Sequence, residues 1–149
     1  MKINTQLLKR IKRAIMKEPT RLDMDSYFYE EDNRKYGPPC KTVGCIAGWA
    51  VLFDTQDRLV AAPKNGVNAK VMVDVMNLAN EEAFRKGVDV ERTASRILGT
   101  GVRAGRRLFF VERWPKKFQD AYHAASNPAQ IAKVTCARIN LFIRTGGTE

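Results

Sequence analysis

The sequence predicts a mainly helical, compact single-domain bundle around a central apolar helix, with one small β-hairpin at most. Three observations carry this. The chain has 149 residues, 44% hydrophobic and 28% charged, the balance of one ordinary core. At that length folding buries roughly 68–70% of the unfolded surface, so no staple is required. Apolar residues recur at helical spacing in most segments, and caps and breakers punctuate them at matching intervals.

Leu7, Leu8, Ile11, Ala14 and Ile15 follow the potential caps Asn4 and Thr5 at helical spacing, and Pro19 stops the pattern. A short helix is expected near Ser26, before the breaker Gly37-Pro38-Pro39. The element from near Thr42 carries Ile46, Trp49, Ala50 and Phe53 at helical spacing and is apolar or small elsewhere, so Val43 to Phe53 is expected at the centre of the bundle, flanked by the first and last helices. Residues 55–85 look like a variable insertion. Within them Leu59-Val60-Ala61 and Val71 to Val75 suit a hairpin around Asn65-Gly66, although Val71, Met72, Val75, Met76 and Ala79 also suit a helix. Asp89 caps a helix over Val90 to Leu98, Gly99 stops it, and a second short helix runs from about Gly101 to Phe110. After the break at Trp114-Pro115, Lys116 to Ser126 reads as a helix. Asn127-Pro128 then opens a long final helix that ends at Gly146-Gly147.

Charge is the first functional signal. Lys and Arg total 26 against 16 Asp and Glu, a formal +10, which favours phosphate-bearing or otherwise acidic partners. Residues 1–17 hold six cations and no acid, whereas residues 18–32 hold six acids and only Arg21. On the first helix Lys9, Arg10, Arg13 and Lys17 lie away from the apolar stripe and present a basic face. Residues 103–117 carry Arg103, Arg106, Arg107, Arg113, Lys116 and Lys117 against Glu112. Arg103, Arg106 and Arg107 share one helix face after the Gly99-Thr100-Gly101 turn, as a recognition helix would, but Gly105 is weak inside such a helix. Arg138 projects among Ile131, Val134 and Phe142, and a charge on that apolar face needs a partner. Asp23 or Asp25 is the structural candidate. The alternative is an anion at the floor of a pocket. Tyr27, Tyr29, Trp49 and Trp114 suit core packing better than stacking on a base.

The string Cys40-Lys41-Thr42-Val43-Gly44-Cys45-Ile46-Ala47-Gly48-Trp49-Ala50 is distinctive, as are Ile97-Leu98-Gly99, Leu108-Phe109, Trp114-Pro115 and Ala137-Arg138-Ile139 downstream. Together these resemble a family of small uncharacterised proteins of bacteria and phages, over most of the chain except residues 55–85. The resemblance implies no particular chemistry. It opens a phage or mobile-element origin, and the second functional reading is a phage or mobile-element inhibitor that docks on an acidic host protein or sequesters a nucleotide signal.

Two chemical readings compete for the thiols. Cys45 near a helix N-terminus, followed by Trp49, suits a thiolate nucleophile, but His123 is the only available base and has no β-rich half to come from. Cys40, Cys45, His123 and Cys136 form the complete thiol and imidazole inventory and could make a four-ligand zinc set, yet the second pair is no compact knuckle. Buried thiols are the expectation, with no catalytic residue, metal or cofactor. The apolar run Val43 to Phe53, eleven residues, is too short for a bilayer, and no apolar leader stands at the N-terminus, so a cytoplasmic protein that binds no membrane is expected. The function this supports is noncatalytic binding of nucleic acid or a nucleotide through Lys9, Arg10, Arg13, Lys17, Arg103, Arg106, Arg107, Arg113 and Arg138. The alternatives are the host-directed inhibitor and the cysteine enzyme.

Overall fold

The computed structural model describes residues 2–24, 28–30, 42–61 and 89–149. Among them the helices are α1 (Thr5–Lys17), α2 (Ile46–Ala61), α3 (Asp89–Leu98), α4 (Gly101–Phe109), α5 (Lys116–Ala124) and α6 (Pro128–Arg144). Short 3-10 turns occupy Pro19–Arg21 and Val111–Arg113. None of these helices is long and apolar enough to cross a membrane.

Two of the predicted caps form, while Asp89, expected to cap α3, is instead its first residue. Asn4 accepts a hydrogen bond from the Leu7 amide at 3.1 Å, and Asn127 accepts one from the Gln130 amide at 3.0 Å with Pro128 in the first turn of α6. The Gln130 side chain reaches back to accept from the Ser126 amide at 2.8 Å, one residue before the cap, and so fixes the entry of the chain into α6.

The β feature stands elsewhere than expected. Phe28–Glu30 (β1) pairs antiparallel with Thr42–Gly44 (β2), Tyr29 opposite Val43, where a short helix and the start of the central helix were predicted. Three-residue elements are too short to show a period, and the aromatic and β-branched residues in them suit a strand. Leu59–Ala61, predicted as one arm of a hairpin, instead continues α2. No Gly or Pro stands between Gly48 and Pro63 to stop the helix. The other arm, Val71 to Val75, lies outside the described residues.

Ile46, Ala47, Trp49, Ala50 and Leu52 bury α2 as the apolar centre, packed on α1, α3 and α4. The final helix does not flank α2 as expected. It packs chiefly on α1 and α5, leaving α1 between α2 and α6, with Leu8, Ile11 and Ile15 fully buried. Arg10 ties α1 to α2: its Nη1 donates to both Asp57 carboxylate oxygens, at 2.7 and 2.9 Å, while its guanidinium lies 4.2 Å from the centre of the Phe53 ring. Phe53 and Asp57 are one turn apart, so a single side chain meets both.

Helices α3 and α4 pack closely around the Gly99 turn. Gly99 has φ +65°, and a Cβ there would stand 2.6 Å from the Lys2 carbonyl oxygen. The Asn4 amide donates to the Leu98 carbonyl at 2.9 Å, so residues 2–4 are laid against this turn. Gly105, which looked out of place in a helix interior, is where α4 meets α3. A Cβ at this position would overlap Ser95 Oγ and stand 2.9 Å from Phe109 Cε2.

Gly105→Ala is therefore expected to lower the unfolding free energy by about 1–3 kcal/mol through overpacking. An unconstrained helix-interior glycine would instead gain about 0.5–1 kcal/mol from the same change. Urea denaturation decides between them, and a stabilised variant would refute the close approach.

Candidate anion-binding cleft

Residues 103, 106 and 107 span about 100° around α4, which puts their side chains on one side of the helix. The chain then leaves α4 through the turn Val111–Arg113, which adds Arg113, and enters α5, whose first turn adds Lys117. These five cationic residues line one open cleft of about 720 Å³, together with Trp114, Pro115, Thr148 and Glu149. Glu149 is the one carboxylate in the lining.

The turn between α4 and α5 is held by its own polar groups. Trp114 is 2% exposed, and its indole N–H donates to the Leu108 carbonyl at 2.9 Å. Gln119 Nε2 donates to the Trp114 carbonyl at 2.7 Å. Two of the cleft arginines are oriented by neighbours: Arg106 Nε meets Glu91 Oε1 at 2.5 Å, and Arg107 Nη1 donates to the Thr148 carbonyl at 2.6 Å. Arg103, Arg113 and Lys117 meet no carboxylate among the described residues. Lys117 lies instead 5.2 Å from the centre of the Phe118 ring. Lys116 at the rim pairs with Asp120 at 2.7 Å.

Arg138 does not line the cleft. It is fully buried behind Arg107, and its Nη2 donates to the Arg107 carbonyl at 2.8 Å. Its guanidinium lies 5.6 Å from the centre of the Phe142 ring. The acid partner expected for it is not Asp23, since no carboxylate among the described residues is within ion-pair distance of Arg138; Asp25 lies outside them. The charge is accommodated by the negative end of α4, whose last carbonyls lack intrahelical donors. Burial foremost lowers the Arg138 pKa to about 10, the charge of Arg107 adds to this, and Glu149 opposes it. The group therefore stays protonated at neutral pH. Its Nε and Nη1 have no hydrogen-bond partner among the described residues.

The expected basic residues thus divide. Arg103, Arg106, Arg107 and Arg113 converge on the cleft, whereas Lys9, Arg10, Arg13 and Lys17 do not reach it. Arg10 is committed to Asp57, and Lys12 to the Asn140 side chain. Lys9, Arg13 and Lys17 remain an exposed face of α1 with no carboxylate partner among the described residues. The sequence reading missed Pro115, Thr148, Glu149 and the orienting role of Glu91. No local pattern signals them, because they join the cleft only through tertiary packing.

The thiols are set in apolar surroundings. Cys45 is 3% exposed, and burial pushes its pKa up to about 11, so at neutral pH it is a thiol and a poor nucleophile. Burial also raises Cys136, which lies 3.8 Å from the Lys12 carbonyl oxygen, an acceptor for its S–H. His123 is exposed on α5 against Tyr122. Among the described residues no three His, Cys, Asp or Glu side chains gather closely enough to hold a metal ion. Cys40 and Tyr27 lie outside the described residues. Trp49 is buried, with its N–H directed to the Arg21 carbonyl at 3.3 Å, so it stacks on core neighbours and offers no open platform.

Iodoacetamide at pH 7.5 is expected to leave Cys45 unmodified in the folded protein and to label it after unfolding, as peptide mapping by mass would show. Rapid native labelling would restore the thiolate reading. No protein-family model, curated protein or solved structure matches the chain.

Proposed function

We propose that the protein is a noncatalytic binder of a phosphate-bearing partner, nucleic acid or nucleotide, and that it holds the phosphates in the cleft between α4, the Val111–Arg113 turn and α5. The observation that carries this reading is the convergence of Arg103, Arg106, Arg107, Arg113 and Lys117 on one concave surface. A merely solubilising charge would be spread over the surface and interspersed with acids. The volume falls in the range of about 300–1,000 Å³ usual for ligand sites. Arginine suits the task because its planar fork can grip phosphate oxygens bidentately, and Lys117 adds a mobile point charge.

The pairings of Arg106 and Arg107 support the reading. Glu91 and the Thr148 carbonyl each occupy part of a guanidinium and orient the rest, so less side-chain freedom is lost when an anion arrives. The exposed cations of α1 form an outlying basic face. It would add long-range attraction without touching a ligand in the cleft.

Binding to a labelled oligonucleotide should weaken steeply with salt. Five phosphate contacts on a duplex correspond to a loss of roughly 500-fold between 50 and 200 mM salt. Arg103→Ala and Arg113→Ala, both at exposed positions, should each lower the logarithmic salt slope by about one. Fluorescence anisotropy measures both, and affinity that is flat across this range would overturn the proposal.

Glu149→Gln removes the one acidic side chain of the lining and should tighten phosphate binding about three- to tenfold at low salt. Titration calorimetry on the variant and the parent checks this; weaker binding by the variant would mean that Glu149 helps the ligand rather than competing with it.

A further inference from the structure

Resting on that reading, we infer that the cleft recognises closely spaced phosphates and is blind to any base attached to them. Its ligand class is a chain of at least two neighbouring phosphates, whether a short polyphosphate or the backbone of a nucleic acid.

The lining is rich in anion donors and lacks a stacking surface. Trp114 is its one aromatic residue, and this side chain is buried, its N–H is held by the Leu108 carbonyl, and Tyr122 meets it edge-on at 5.6 Å and 86°. A base would have to break this packing to stack there. Proteins that hold bases usually offer an open aromatic face, and this cleft offers none among the described residues.

The arrangement of the cations favours an extended anion. Arg103 and Arg107 are separated by one turn of α4, about 6 Å along its axis. Arg113 and Lys117 face them from the following turn and helix. A single phosphate would engage part of this set, whereas neighbouring phosphates span it. Glu149 is the one lining carboxylate, the group suited to accept from a base amino group, and it stands among five cations. In that field it is drawn to arginine before it is drawn to a base amino group.

The test is competition calorimetry on the full chain at fixed salt, using tripolyphosphate, ATP, GTP, CTP, UTP, AMP, adenosine, and oligo(dA) and oligo(dT) of equal length. The four triphosphates and tripolyphosphate should agree within about threefold, with AMP at least tenfold weaker and adenosine without measurable binding. Oligo(dA) and oligo(dT) should also agree with each other. Oligonucleotides far tighter than tripolyphosphate would identify a nucleic-acid backbone as the source of the phosphates, and parity would identify a small polyphosphate; either supports the inference. Arg103→Ala and Arg113→Ala should weaken every phosphate ligand by a similar factor.

A tenfold preference for one base, or measurable binding of adenosine, would overturn base-blindness while leaving the phosphate-binding reading intact. A guanine preference lost in Glu149→Gln would do so and point to Glu149 as the reader. Failure of every phosphate compound to bind would overturn both.

Discussion

The C-terminal end of α4 stops in the protein interior, and its carbonyl groups there need donors that the helix cannot provide. The Phe110 amide takes the Arg106 carbonyl, the Trp114 indole takes that of Leu108, and the Arg138 guanidinium takes that of Arg107. Trp114 thereby fixes the turn that carries Arg113, and Arg138 fixes α4 to α6. The cleft depends on both, because its cations come from the elements these two bonds hold. A buried arginine without a carboxylate is costly unless something negative faces it, and a helix terminus provides that at short range.

The skeleton of the helical fold can be read locally. Asn4, Asn127-Pro128 and Gly99 announce helix ends by properties of the residues themselves, and the structure places helix ends at those points. The ribbon and the full length of α2 cannot be read this way. Phe28–Glu30 and Thr42–Gly44 are strands because each supplies the other's hydrogen bonds, a pairing that twelve or more residues of separation hide. Gly105 shows the same limit from the other side: its low helix propensity is visible in sequence, but the reason for it, the approach of Ser95, is not.

Half of the candidate site is a matter of linear clustering. Arg103, Arg106, Arg107 and Arg113 sit close in sequence, and helical geometry brings them to one side. In sequence Arg10 is one more cation on the polar side of α1, yet Asp57 neutralises it from another helix. Arg138 stands out by periodicity, but what receives its charge is a backbone carbonyl, a group present at every position and therefore silent in sequence. Glu149 reaches the cleft because α6 ends where it does.

Residues 2–4 lie against the Gly99 turn that launches α4, and Thr148 and Glu149 lie along its arginine-bearing side. The stretch that carries Thr148 and Glu149 therefore forms one wall of the cleft. Any affinity tag or fusion joined beside it is delivered to the mouth of the cleft, and a polyhistidine or acidic tag there would compete with, or screen, whatever the protein captures. Ligand measurements on this molecule call for material from which such additions have been removed.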